Sequence, residues 1–360
     1  PQPWRLNGLV GMSAMSYGAL GEHAIRALAQ GLSMATGSWM NTGEGGLADH
    51  HLAAGDVVFQ IGPGMFGVRD EQGRFDWDRF RAHAARPEVR SFELKLHQGA
   101  KIRGGHIEGV KVTAEIARIR GVPEGVSIDS PNRFPDIVDL EALLDRVARM
   151  RELGGKPVGV KIVVGGPGSV DPLAEALARR GDGPDWITVD GSEGGSGATY
   201  QEMADTMGVP LRSAIVEVDD ALRRAGVRER VKIFASGHLA SADAIALALC
   251  YGADAVNIAR GLMISVGCIQ AQKCHTTTCP VGVATTDPDL MEALVVDEKQ
   301  YRVLNYIVTL RAGLASLAAA SGLESPTLFT RRHAIHKDGF GRIRSADELF
   351  PLPDRETSAA

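Results

Sequence analysis

Along this chain, short runs of β-branched and other apolar residues alternate with stretches whose apolar residues recur at helical spacing. The strand candidates cover residues 9–14, 57–61, 92–96, 126–128, 158–164, 186–189, 231–235 and 255–258. They are near-continuous apolar runs, the pattern of parallel strands covered by helices. Between them the spacing predicts amphipathic helices over 22–35, 112–120, 140–153, 172–180, 219–225 and 242–251. Asp139 is placed to cap the third of these, with Leu140, Leu143, Leu144 and Val147 on its inner face. Alternation of this kind means a doubly wound sheet or a (β/α)8 barrel.

The glycines decide between the two. A dinucleotide fold concentrates glycine after its first strand. Here glycine clusters follow several strands: Gly43-Glu44-Gly45-Gly46, Gly104-Gly105, Gly165-Gly166, Gly194-Gly195-Ser196-Gly197, Ser236-Gly237 and Arg260-Gly261. That is expected of a barrel whose C-terminal face carries the active site. No G-x-G-x-x-G follows the first strand, which disfavours a nicotinamide Rossmann domain. The reading is an α/β protein, a (β/α)8 TIM barrel in one domain over 1–360. A cysteine loop at 268–286 and a helical C-terminal extension at 289–360, clearest over 298–320, follow the last strand.

Composition narrows the classes further. The net charge is −5 and no basic run exists, so no nucleic-acid partner is expected. No apolar stretch approaches the ~20 residues of a spanning helix, so no membrane partner is expected either. The first residues, Pro1-Gln2-Pro3-Trp4, contain neither an initiator Met nor a signal-peptide pattern and read as a processed or cut end.

Three of the four cysteines, Cys268, Cys274 and Cys279, fall in a C-x5-C-x4-C spacing followed by Pro280. Thiolates are soft ligands, and one loop can present several to a single metal centre. Three ligands suit an iron–sulfur cluster with one unligated corner. A disulfide is disfavoured, since nothing looks secreted. Zinc remains open, because His275 can complete a Cys3His set, although the x5 spacing fits tetrahedral closure poorly. Cys250 sits in an apolar helical run and reads as a core thiol. An oxygen-labile cluster and few cysteines point to a reducing cytoplasm.

Other constellations sit at strand ends. Ser236-Gly237-His238 and Ala259-Arg260-Gly261 close the last two strands, where small residues and an arginine suit a phosphate. Ordinary turns are the plainer alternative. Lys161 lies inside an apolar strand and needs a partner: a flavin's pyrimidine edge, or a neighbouring carboxylate. The segment from Lys95 to His106 is dense in donors. Lys95, Lys101, Arg103 and Arg120 would make a positive pocket for a carboxylate substrate, with Glu44 as an acid candidate facing it. Each of these alone reads as solvated surface charge; their co-location carries the argument.

Together these strings resemble the FMN-binding domain of the glutamate synthases, from about Gly11 to about Thr286. The motifs are Ser13-Ala14-Met15-Ser16-Tyr17-Gly18, Asn41-Thr42-Gly43-Glu44-Gly45-Gly46, Gln98-Gly99-Ala100-Lys101, Gly194-Gly195-Ser196-Gly197 and Cys274-His275-Thr276-Thr277-Thr278-Cys279-Pro280-Val281-Gly282-Val283-Ala284-Thr285. The resemblance implies FMN in the barrel and a [3Fe-4S] cluster on Cys268, Cys274 and Cys279. It implies electrons passing from cluster to FMN and on to the imine of a 2-oxo acid, 2-oxoglutarate giving L-glutamate, or the reverse. It places Glu44, Lys95, Gln98, Lys101 and Arg120 around the oxo-acid pocket as catalytic residues. Ser13, Asn41, Gln60, Lys161, Ser192, Gly195, Ser236, Gly237, Arg260 and Gly261 fall around FMN.

Three departures qualify it. No glutaminase domain with an initiating Cys is present, so ammonia would be free, come from a glutaminase subunit, or be replaced by an amine. After Lys101 the chain is one residue shorter than the family pattern, with His106 in place of a glutamine. Phe59 precedes Gln60 where the family often has lysine. The last two put 2-oxoglutarate itself in question. A diverged member acting on another amino acid or amine, such as an N-methylglutamate synthase or a specialised amino-acid oxidoreductase, is the alternative. From another class comes a non-catalytic electron-transfer subunit. The electron partner would be ferredoxin or a separate reductase subunit.

Overall fold

The computed structural model describes residues 2–99, 106–194 and 207–353. Its strands and helices follow in chain order: β1 (Val10–Met12), α1 (Glu22–Met34), β2 (Met40–Asn41), α2 (Asp49–Leu52), β3 (Val57–Ile61), α3 (Trp77–Ala84), β4 (Val89–Lys95), β5 (His106–Ile107), α4 (Ala114–Arg120), β6 (Ile128–Asp129), α5 (Leu140–Gly154), β7 (Val158–Ile162), α6 (Asp171–Arg180), β8 (Trp186–Asp190), α7 (Leu211–Arg224), β9 (Lys232–Ser236), α8 (Ala242–Tyr251), β10 (Ala255–Ile258), α9 (Arg260–Ser265), α10 (Pro288–Met291) and α11 (Val296–Ala320). Eight strands close in the order β1-β10-β9-β8-β7-β4-β3-β2, every pair parallel. The fold is a TIM barrel.

The pattern located seven of these eight strands. The expected strand at 126–128 is instead the short β6, paired antiparallel with β5 outside the barrel. Its place is taken by β2, whose two residues lie in a polar, glycine-bordered stretch. The helix expected at 219–225 begins earlier, at Leu211, and α3 lacked an apolar stripe strong enough to be seen. The cap on α5 is as expected: the Asp139 carboxylate accepts from the Ala142 N–H at 2.8 Å.

The two faces of the strands do different work. Outward residues such as Val10, Met12, Phe59, Leu94, Val160, Val189 and Ile258 join the main apolar core under the helices. Inward residues form a separate plug of Trp39, Val58, Trp186, Phe234 and Ala255. Trp186 stacks on Phe234 at 5.6 Å between ring centroids, and Trp39 lies 5.5 Å from the same ring. Two glycines make room for the indoles. A Cβ at Gly159 would lie 2.1 Å from the Trp186 ring, and one at Gly11 2.0 Å from Trp39. Gly159→Ala is therefore expected to destabilise by about 1–3 kcal/mol through overpacking; an unchanged melting temperature would remove this account.

His51, on α2, is fully buried. Its Nδ1 lies 3.0 Å from the Ala48 amide nitrogen and 3.2 Å from the Ala48 carbonyl oxygen. Burial pulls its pKa down to about 4. The unfolded ring, near 6.5, takes a proton first. Stability is thus fully present above pH 6.5 and falls as pH drops toward 4, by about 2 kcal/mol between 6.5 and 5. Urea melts at pH 7 and 5 should show this slope in the protein and lose it in His51→Gln.

After β10 the chain leaves the barrel. Helix α11 is long and apolar enough, at a mean hydropathy of 1.4, to cross a membrane by length and composition, although its apolar residues are interrupted by polar ones along the chain. Its buried stripe of Val303, Ile307, Leu310 and Leu314 packs on the protein itself, against α1, α8 and α9. The C-terminal extension is not helical throughout. Beyond α11 it forms two 3-10 turns and the hairpin β11 (Ile335–Lys337) and β12 (Ile343–Ser345).

Candidate functional site

The C-terminal ends of the strands open into two adjoining cavities. The first is lined by Glu44, Gln60, Lys95, Gln98, His106, Lys111, Arg120, Cys274 and His275, among others. Four of the five expected catalytic residues thus share one wall; Lys101 lies outside the described residues. The Lys95 ammonium donates to Glu44 Oε1 and Gln98 Oε1, both at 2.8 Å. Arg120, at the end of α4, is 3% exposed. Its Nη2 donates to the Tyr17 carbonyl at 2.9 Å, and the guanidinium lies 5.4 Å from the Phe66 ring centre. Among the described residues it forms no ion pair within 4.0 Å, and its Nε is buried without a partner. Burial pulls its pKa down to about 10, against the opposing charge of Glu44.

The second cavity is lined by Ser13, Lys161, Asp190, Ser236, Gly237, His238, Arg260 and Gly261, with Ala14, Gln98 and Ala259 shared with the first. Ser13 and Ser236 hydroxyls pair at 3.1 Å. Lys161 finds its partner in Asp190 at 3.3 Å, and the same carboxylate oxygen accepts the Gly99 N–H at 2.8 Å. Arg260 Nη1 lies 3.4 Å from His238 Nε2 and forms no ion pair within 4.0 Å among the described residues. His238 holds a left-handed backbone (φ 48°), a conformation an ordinary residue keeps only where the surroundings impose it. These cationic and hydroxyl donors fit an anionic, phosphate-bearing ligand. The smallness of Gly261 serves packing, because a Cβ there would lie 2.0 Å from the Tyr306 hydroxyl.

Other expected cofactor residues lie elsewhere. Asn41 and Ser192 are buried and line neither cavity, Gln60 lines the first, and Gly195 is outside the described residues. Phe59 is no part of the substrate wall. It faces outward, packed on Phe92 and His83 with ring centroids at 6.1 and 4.9 Å. His106 does line the first cavity, and hydrogen bonds to Asp129 and Glu108 raise its pKa.

The cysteine loop abuts the first cavity through Cys274. Cys268, Cys274 and Cys279 are free thiols, the last buried and the others half-buried. The Gln270 N–H donates to Cys268 Sγ at 3.4 Å. Burial first, then the charges of Cys268 and Cys279, raises the Cys274 thiol. Among the described residues no group of three His, Cys, Asp or Glu side chains stands at metal-holding spacing. The three soft donors gathered on one loop nonetheless suit iron and sulfide. Cys250 is a core thiol, 3% exposed and pushed up to about 11 by burial.

Sequence reasoning missed Lys111 and Glu93. Lys111 is 1% exposed, and its ammonium donates to the carbonyls of Ala19, Cys274 and Ala284 at 3.1, 3.1 and 3.3 Å. It staples the cysteine loop to the cavity wall. A lysine between two valines, Val110 and Val112, was the available signal. Glu93 sits on the barrel's inner face and ties Asn41, Gln60, Trp186 and Thr188 together.

A closed parallel barrel with two adjoining polar cavities at its C-terminal mouth has the layout of a barrel enzyme. The chain belongs to the glutamate synthase family, and is an oxidoreductase of that type: residues 2–324 match the family's conserved region. A glutamate synthase large subunit-like protein, YerD, of Bacillus subtilis is 53% identical over 350 residues, 97% of this chain and 67% of the relative. An archaeal glutamate synthase (NADPH) of Methanocaldococcus jannaschii is 34% identical over 331 residues, 89% of this chain. This chain spans only 60% of that relative's length. Among solved structures, mandelate oxidase with (S)-4-hydroxymandelic acid superposes with a TM-score of 0.52 at 16% identity, over 88% of this chain and 77% of that one. Flavocytochrome b2 with pyruvate bound gives 0.51 at 11% identity, over 90% and 68%. These two show the fold alone.

Proposed function

We propose that this protein interconverts a 2-oxo acid with ammonia and the corresponding amino acid, with FMN in the second cavity and a [3Fe-4S] cluster on the cysteine loop. The observation that carries the reading is Arg120, a buried guanidinium with no carboxylate partner among the described residues, on the wall of a cavity bordered by the cysteine loop and by the Arg260 cleft. A buried cation that shares the charge of Glu44 with Lys95 and pairs with no carboxylate directly gains a partner from an anionic ligand.

Ser13, Lys161, Ser236, Gly237 and Arg260 would hold FMN, which supplies hydride chemistry when bound. Cys268, Cys274 and Cys279 would hold the cluster, a one-electron carrier. Arg120 would grip a substrate carboxylate, while Lys111, its three donors taken by carbonyls, would hold the cavity wall and the cysteine loop in place. Glu44, tied to Lys95, would hold or move a proton at the substrate nitrogen, assisted by Lys101. His106 in the cavity wall supports a second reading, in which the substrate is an amino acid or amine other than glutamate. Ferredoxin or a reductase subunit would deliver electrons, a glutaminase subunit could deliver ammonia, and the reducing cytoplasm would be the setting.

The test is an absorbance spectrum with iron and FMN quantification on anaerobically purified protein. Flavin bands over an iron–sulfur shoulder, with about three irons per chain, are expected. Cys274→Ala should lose the iron and keep flavin. A protein that remains colourless after reconstitution with FMN and iron would overturn the reading. Bleaching of the flavin by glutamate, or by another amino acid alone, would decide between the two substrate readings.

A further inference from the structure

The barrel interior contains one carboxylate that no cation touches within the salt-bridge distance of 4.0 Å among the described residues, and it dictates the polarity of the cavity floor. Glu93 is 1% exposed on β4. Its Oε1 accepts from Asn41 Nδ2 at 2.8 Å and from Gln60 Nε2 at 2.7 Å. Its Oε2 accepts from the Trp186 indole at 3.3 Å and from the Thr188 hydroxyl.

The orientation of each amide follows from donor and acceptor chemistry. The indole N–H can only donate, so Glu93 accepts there. Asn41 Oδ1 takes the Gly43 N–H at 3.0 Å, which leaves only the Asn41 NH2 for Glu93. The Gln60 Nε2 likewise donates to Glu93 Oε1 at 2.7 Å, the oxygen that also takes the Asn41 NH2. The Gln60 carbonyl is then the atom left over. Gln60 is fully buried, its Oε1 is without a partner among the described residues, and the residue lines the first cavity beside Glu44 and Lys95.

We infer that Gln60 Oε1 accepts a hydrogen bond from the amino nitrogen of an α-amino acid in the first cavity, and that Glu93 is the positioning residue that fixes this polarity. Arg120 offers a cation to a carboxylate of such a ligand, while Gln60 and Glu44, on the same cavity, offer acceptors to its nitrogen. An α-oxo acid presents an acceptor at the same place and meets a carbonyl oxygen. The floor thus favours the nitrogen-bearing form of the substrate over the oxo form. This inference rests on the proposal that the cavity binds amino and oxo acids beside FMN.

The experiment compares L-glutamate and 2-oxoglutarate as probes, by calorimetry on the FMN-loaded protein and two variants. In Glu93→Gln the neutral amide at position 93 can donate or accept, and the Gln60 amide is free to turn. The ratio of glutamate to 2-oxoglutarate affinity should fall about tenfold, the worth of one hydrogen bond. In Gln60→Met, glutamate should weaken by about tenfold with 2-oxoglutarate unchanged or tighter. A merely structural role would weaken both probes equally, and equal losses would overturn the polarity assignment. If Glu93→Gln fails to fold, Gln60→Met decides, since it leaves Asn41, Trp186 and Thr188 on Glu93. A wild-type protein that loads FMN but binds neither probe would overturn the glutamate reading, and this inference with it; one that binds both, with ratios unmoved by the variants, overturns this inference alone.

Discussion

Asp219→Ala is expected to lose about 3–5 kcal/mol of stability, the loss typical of breaking a buried ion network from one side. Asp219, on α7, is 1% exposed. Its Oδ1 accepts from Arg228 Nε at 2.6 Å, and its Oδ2 from Arg223 Nε and Arg331 Nη2, both at 2.8 Å. Arg331 is itself 4% exposed and belongs to the C-terminal extension. It also reaches Asp220 at 2.6 Å and the Phe350 carbonyl at 2.8 Å. Asp219, with Asp220 beside it, therefore binds the extension to the barrel's helical shell. Its removal leaves Arg331 on Asp220 alone and Arg228 on Asp254, strips Arg223 of its ion-pair partner among the described residues, and keeps Arg331 out of water. Urea unfolding is the check. A loss under about 1 kcal/mol would mean that water or Asp220 compensates, as in an exposed pair. Replacing the whole network by apolar residues should be far milder than removing this one member.

How much of this was legible in the sequence depends on which face of a strand a residue occupies. The outward face reads directly, because Val57, Phe59 and Ile61 must meet helices and are apolar for that reason. The inward face does not. Gly11, Asn41, Glu93, Gly159 and Thr188 look like interruptions of strands, and their reasons appear only when the sheet assembles and sets β4 and β8 on either side of β7. The same logic explains the missed strand. Met40–Asn41 is short, and its inward residue is polar because it serves Glu93. Val126–Ile128 looks more like a strand than β2 does, yet it belongs to the segment that walls the first cavity through Ile128. The cysteines and Arg120 were visible as types and spacings. Lys111 was not, because its value lies in reaching three carbonyls from segments far apart in the chain.

Arg120→Met should separate stability from binding in opposite directions. The guanidinium is held by a single carbonyl at 2.9 Å, a weak contact to Ser16 Oγ at 3.5 Å and the face of Phe66. Its Nε has no partner among the described residues. A charge so placed is a burden on the empty fold, which the lowered pKa of about 10 expresses as the preference of the site for the neutral form. Methionine has similar length, packs on Phe66 and removes that burden. The melting temperature should stay level or rise. Binding should suffer, because a substrate carboxylate entering the cavity would lose its buried counter-charge. The expected cost is about 2–5 kcal/mol, roughly thirtyfold or more in KM for a dicarboxylic oxo acid. A substrate with one carboxylate fewer should lose much less. Thermal melts and steady-state kinetics on the same preparation give both readings. A variant that melts lower and weakens acidic and neutral substrates alike would show Arg120 to be a structural residue, bracing the Tyr17 loop. A variant that melts level or higher and fails on diacids would show that the fold accepts a destabilising cation in order to bind them.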